Sequence, residues 1–259
     1  MHGIAYNPVR DEIIVANPLA GSVLVFRGSA QGAEAPLRML QGPATKFVFP
    51  HSVHLDLQNK EILVGDQRGG SILLFPWDAN GNMPPLRAIA GPKTRLDYVV
   101  GKDVDPLRNV LVASNTARRA GQTGLFIFNR TDDGDVPPKA IISGPKTGIL
   151  EAPWQLQIHN GMIFAAIANF REVSPYRLDR PREGLTDIPL SPWRSDTLGF
   201  IGVWDIGDSG DVPPRAILKG PVSDLVHPSG MTLNAKYREI IVSDSVRNGI
   251  FTFLVPQFF

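Results

Sequence analysis

The chain repeats itself, and the repeat constrains its fold more than any other feature. The stretch His51-Ser52-Val53-His54-Leu55-Asp56, followed by Glu61-Ile62-Leu63-Val64-Gly65-Asp66, aligns without a gap on His2-Gly3-Ile4-Ala5-Tyr6-Asn7 and Glu12-Ile13-Ile14-Val15-Ala16-Asn17. Further copies begin at Val100, Trp154 and Ser229, so successive starts lie 49, 49, 54 and 75 residues apart. Each copy has a second half. Gly-Ser-Val-Leu-Val-Phe at 21–26 recurs in kind at 70–75, 124–128, 199–204 and 249–253. A polar turn and a Pro-rich segment follow, clearest as Asn80-Gly81-Asn82 before Pro84-Pro85-Leu86-Arg87-Ala88-Ile89. Asp133-Gly134-Asp135 and Gly210-Asp211 lead into equivalent segments, and 32–42 is a looser copy. No such unit can bury its apolar side alone, so neighbouring units must cover one another.

One unit is therefore four short apolar strands, a to d, joined by Gly/Asn/Asp turns. The runs are β-branched and interrupted by Gly or Pro, which leaves no window for a helix. Four strands in a unit of 40 to 50 residues are the mark of a β-propeller blade. The expectation is an all-β propeller of five units, near 1–50, 51–99, 100–153, 154–228 and 229–259, with an insertion at 170–198. The Asn-Gly-Asn and Asp-Gly-Asp triplets could be read as calcium loops, but their place between strands c and d favours hairpin turns, where Gly supplies positive φ. The Pro pairs stand where the outermost strand begins, a position that tolerates a missing N–H.

Composition narrows the function. Lys+Arg 26 against Asp+Glu 25 is balanced, whereas nucleic acid or an anionic membrane would call for a basic surplus. With Cys 0, disulfides, thiolate catalysis and Cys-ligated metal sites are excluded. No apolar run approaches a membrane helix, and no signal peptide is visible at Met1.

The pattern resembles NHL-repeat propellers and, more loosely, gluconolactonase-like and strictosidine-synthase-like propellers. The residues that carry the resemblance are Pro228-Ser229-Gly230-Met231 and Pro50-His51-Ser52-Val53, with the Glu-Ile-Ile-Val-Ala-Asn and Ser-Val-Leu-Val-Phe strands. It covers nearly the whole chain and implies the fold rather than an activity, because such propellers serve as enzymes, scaffolds and ligand binders. It also points to a secreted or periplasmic protein.

Five a–b–c sets but only four d strands are present. The last unit is expected to lack its outer strand, leaving 250–255 as an open apolar edge. Either five units stand alone, or they form part of a six-bladed ring completed by a partner chain. Residues upstream of Met1 in a longer propeller would be another source of the missing strand. An open edge invites pairing between chains, so a homo-oligomer or a covering by the Phe258-Phe259 tail is expected.

Function is expected on one face. In propellers of this kind the d-to-a and b-to-c connections share the mouth of the central channel. From the Asn/Asp ending strand b to the Gly opening strand c, the spacing is 4, 4, 9, 30 and 5 in successive units. The long connections, 116–123 and 170–198, therefore lie on that face, and the longer one carries Tyr176 and Trp193 among balanced charges. Long loops on a rigid scaffold are where function resides. Two sets of side chains point the same way. Asn17, Asp66, Asn115, Asn169 and Asp244 end strand b and could hold a hard cation such as calcium, or simply cap their strands and shape the turns that follow. The openings of strand a are His2, His51, Val100, Trp154 and Ser229. In gluconolactonase-like enzymes this position supplies carboxylate and amide ligands for calcium; none stands here, so that metal site does not carry over.

Inside strand a, the alternate phase holds His54 and Asp103 at equivalent positions of adjacent units, a candidate general base with its orienter or a satisfied polar pair. Lys102 interrupts the apolar phase, which implies a register change or a lysine reaching the channel. The favoured reading is a non-enzymatic scaffold binding a small molecule or a protein through the face with the 116–123 and 170–198 loops. Candidate ligand-binding residues are His2, His51, Lys102, Trp154, Tyr176 and Trp193. The rival reading is a metal-dependent hydrolase or lactonase with a cation at the mouth.

Overall fold

The computed structural model describes residues 3–118, 121–168 and 199–259. His2, Asn169, Tyr176 and Trp193 lie outside the described residues. Five antiparallel sheets account for the repeats, and the fold is the all-β, five-bladed propeller. Blade 1 runs β1 (Ile4–Asn7), β2 (Glu12–Asn17), β3 (Ser22–Arg27) and β4 (Arg38–Gln41); blade 2 runs β5 (Pro50–Asp56), β6 (Glu61–Asp66), β7 (Ser71–Pro76) and β8 (Arg87–Ile89). Blade 3 holds β9 (Val99–Asp105), β10 (Val110–Asn115), β11 (Gly124–Asn129) and β12 (Ala140–Ile142). Blade 4 holds β13 (Ala152–His159), β14 (Met162–Ala168), β15 (Phe200–Asp205) and β16 (Ala216–Leu218). The last blade has only β17 (Pro228–Asn234), β18 (Glu239–Asp244) and β19 (Gly249–Leu254). Each sheet is a meander of antiparallel neighbours, and where the connection is a short Gly/Asn/Asp turn no other pairing is open to it. The Pro pairs stand just ahead of β8, β12 and β16, outside the ladder their missing N–H groups would break.

Contacts divide the chain into two compact units, Met1–Gln122 with Ile127–Lys139, and Thr123–Phe126 with Ala140–Phe259. In the first, Ile14, Val23, Val53, Ile62, Val64, Leu73 and Phe75 form one buried cluster between blades 1 and 2. In the second, Phe164, Ile201, Val203, Met231, Ile240 and Val242 do the same for blades 4 and 5. Burial on this scale stabilises by about 1.5–3 kcal/mol for each large apolar side chain.

The polar triplets do more than turn the chain. Asn80–Asn82 lies between β7 and β8, and Gly81 forms a parallel bridge with Leu40 of the preceding blade. The Asn82 side chain accepts the Ala44 N–H at 2.7 Å, Asp135 accepts that of Lys93 at 2.6 Å, and Asp211 that of Lys146 at 2.7 Å. Each acceptor thus caps a Gly-Pro-x-Thr 3-10 turn in the blade before it. The glycine of that turn must be glycine: Gly91 has φ 125°, and a Cβ there would stand 2.5 Å from the Asp135 carboxylate. The spacing made these triplets hairpin turns; their last residues are also latches between blades.

At the open end, β19 pairs with β18 alone among the described residues, and Ile250 and Leu254 are 77% and 70% exposed. The Phe258-Phe259 tail packs elsewhere. Its rings lie against Phe164, at 5.6 and 6.4 Å between centroids, and Phe259 lies 4.8 Å from His159.

Candidate functional site

The residues ending strand b fold the loops. Asp66 accepts the N–H groups of Val48 (2.6 Å), Phe49 (2.9 Å) and Gly69 (2.9 Å). Asn115 accepts from Asp97 and Tyr98 and donates to the Gln122 carbonyl at 2.8 Å. Asp244 accepts from Val226, His227, Val246 and Arg247. In each case one short side chain ties the d-to-a connection to the b-to-c turn, so both lie on one edge of the blade. The oxygens of Asp66 and Asp244 are directed at backbone amides rather than at a shared point. Asn17 makes no side-chain cap bond, and among the described residues no three His, Asp or Glu side chains gather as a metal site.

Strand a opens with a bulge. The register slips between Pro50 and Ser52, Pro153 and Gln155, and Pro228 and Gly230, while β9 slips across the same point opposite Ala113 and Asn115. The extra residue is the one the repeat alignment singled out: His51, Trp154, Ser229 and, in blade 3, Val100. A bulge re-aims side chains. His51 is buried, with its ring stacked on Phe49 at 6.3 Å. In the second unit, Trp154 lies 6.3 Å from the ring of His227. His227 is buried, with Nδ1 2.7 Å from Ser245 Oγ; burial pushes its pKa below the ordinary value, with the Asp244 charge opposing.

On the exposed side of this edge in blades 2 and 3, arginines lie over aromatic rings. The Arg68 guanidinium is 4.2 Å from the centroid of Phe49, and that of Arg118 is 3.8 Å from Tyr98. Phe49 and Tyr98 occupy the same repeat position, one residue before the strands begin. Arg95 joins the group by donating to Gln122 at 2.6 Å. Stacking fixes each guanidinium plane while its N–H edge stays available to an anion.

Deeper in strand a, two pairs of polar side chains form. His54 Nε2 is 2.9 Å from Asp103 Oδ1, with the imidazole 25% exposed. Lys102 pairs with Ala113 just as Val53 pairs with Val64, so the bulge ahead of it does not explain the lysine. Its side chain runs inward, and Nζ donates to Ser52 Oγ at 2.7 Å. Ser52 Oγ in turn donates to the Val100 carbonyl. Lys102 is 5% exposed. Burial pulls its pKa from 10.5 to about 7, with only the Asp103 carboxylate acting to raise it. Gly65, inside β6, makes room: a Cβ there would stand 2.6 Å from Ser52 Oγ and 3.3 Å from Lys102 Nζ.

The structure thus brings His54 to Asp103 and Lys102 to Ser52, while His51 and Trp154 sit on bulges with their own aromatic neighbours. Ser52, Phe49, Arg68, Tyr98, Arg118 and His227 were not singled out from the sequence. Only Ser52 left a trace there, since its aligned positions hold Gly3, Gly101, Gln155 and Gly230. No family model matches the chain, and no curated protein matches it.

Proposed function

We propose that the protein is a binding propeller of the NHL-repeat type. Its ligand is a small molecule or a protein segment carrying carboxylate or phosphate groups, received on the edge where the d-to-a and b-to-c connections meet. The observation that carries this reading is the pair of stacked arginines, Arg68 on Phe49 and Arg118 on Tyr98, at matching places in consecutive blades. Such a pair presents two oriented cationic forks on a chain with no overall basic excess, which is local recognition rather than general electrostatic attraction. The 116–123 loop contributes Arg118 and Gln122 directly. The cation-dependent hydrolase reading is weaker, because the Asp66 and Asp244 oxygens already serve backbone amides. Calorimetric titration with citrate and with ATP tests the proposal. Saturable binding to the parent, weakened at least tenfold in Arg68→Ala/Arg118→Ala, is the expected result; equal affinity in both proteins would refute it.

We also infer a second copy of the chain as partner for the open edge of β19, on the exposure of Ile250 and Leu254. Light scattering should give a concentration-dependent dimer that Thr252→Pro abolishes; a monomer at all concentrations refutes it.

A further inference from the structure

We propose that Ser52 and Lys102 form a nucleophile–base pair, with His54 and Asp103 as a second proton-transfer couple beside it, that takes an acyl group from a small ester or thioester. This goes beyond the binding reading and does not rest on it.

Three positions depart from the repeat together. Lys102 aligns with Ile4, Val53, Leu156 and Met231; Ser52 aligns with Gly3, Gly101, Gln155 and Gly230; Gly65 aligns with Ala16, Ser114, Ala168 and Ser243. A scaffold needs none of these changes, and two of them are costly on their own. Lys102 buries an amine whose hydrogen-bond partner, among the described residues, is a hydroxyl rather than a carboxylate. Gly65 weakens the interior of a strand. They fit one another in space, since the missing Cβ of Gly65 is filled by Ser52 Oγ and Lys102 Nζ. Nucleophile and base within hydrogen-bond reach, with the base held by packing, is the arrangement that activates a serine.

The chemistry balances without any further reagent. The Ser52 hydroxyl turns from the Val100 carbonyl to Lys102 Nζ, 2.7 Å away, and Oγ bonds to the carbonyl carbon as its proton passes to the unprotonated amine. The bond to the leaving alkoxide or thiolate breaks, and Lys102 returns the proton to it. Burial, by lowering the amine to about 7, leaves a share of it unprotonated at neutral pH. The charged group acting on it is Asp103 on its own strand, and the same carboxylate holds His54 of β5. Release of the acyl group by water uses the other pair. With Nε2 held at Asp103, His54 uses its other ring nitrogen, Nδ1, to take the proton of the attacking water. The Oγ–carbon bond breaks, and that proton goes back to Ser52.

The test uses diisopropyl fluorophosphate on the full chain, read by intact mass and peptide mapping. The expected result is one adduct, on Ser52, whose formation rate rises with pH to a plateau with its midpoint near 7. Ser52→Ala should remove the adduct. Lys102→Met should slow labelling by about 100-fold and abolish the pH midpoint while the protein stays folded. Gly65→Ala should slow labelling at least tenfold by displacing both groups. No adduct on Ser52, or equal rates in the parent and Lys102→Met, overturns the proposal.

Discussion

Lys102→Met should make the protein more stable at neutral pH and not at alkaline pH. The lysine titrates at 10.5 in the unfolded chain and at about 7 in the folded one. At about 1.4 kcal/mol for each tenfold change in proton affinity, the folded state bears a penalty of about 4–5 kcal/mol while the unfolded lysine is protonated. The sign follows from the direction. A folded pKa depressed below the unfolded value destabilises fully below pH 7, and the penalty fades as pH rises toward 10.5. Methionine matches the length of the lysine stem but loses the bond to Ser52, worth about 1 kcal/mol. The net gain at pH 7 is therefore about 2–4 kcal/mol, shrinking to nothing or reversing near pH 10.5. Urea unfolding of parent and variant at pH 7 and pH 10.5 measures both. A gap that is absent at pH 7, or the same at the two pH values, would refute the claim that this amine is buried at the expense of stability.

Three further outcomes follow from the blades. Glu61 is buried and receives two bonds from Arg87 and one from Arg130, all within 2.9 Å, so Glu61→Gln should cost about 2–3 kcal/mol in urea unfolding. Asp135→Ala removes the acceptor for the Lys93 N–H and should cost about 1 kcal/mol, whereas Asp135→Asn should recover most of it, as Asn82 does in blade 2. Glu12 is held below the ordinary carboxylate range, first by its hydrogen bonds to Arg38 and also by Arg10, while burial opposes. Its contribution is thus complete above pH 4.5 and lost as pH falls through the folded value, and Glu12→Gln should flatten the acid limb of the stability curve.

The fold was legible because the repeat places period-two apolar runs between turn residues, and the strands follow those runs closely. His54 and Asp103 could be paired from the alignment alone, since equal positions in adjacent blades stand side by side. Other features left less trace. The bulges at His51, Trp154 and Ser229 add one residue without changing residue type, so nothing in the pattern marks them. Arg68 and Phe49 are 19 residues apart and meet only because Asp66 ties two connections together. The latches of Asn82, Asp135 and Asp211 act on the preceding blade, a tertiary contact that turn chemistry does not encode. Lys102 was legible as an anomaly, but its partner was not, because a serine and a glycine at small-residue positions read as ordinary strand filling.

The most direct test of the binding account is an amide NMR titration of the isotope-labelled protein with citrate. The account predicts shifts at Phe49, Arg68, Tyr98 and Arg118, along the edge that Asp66 and Asn115 organise. Shifts confined to the opposite edge, around Arg87 and Arg130, or none at all, would contradict it.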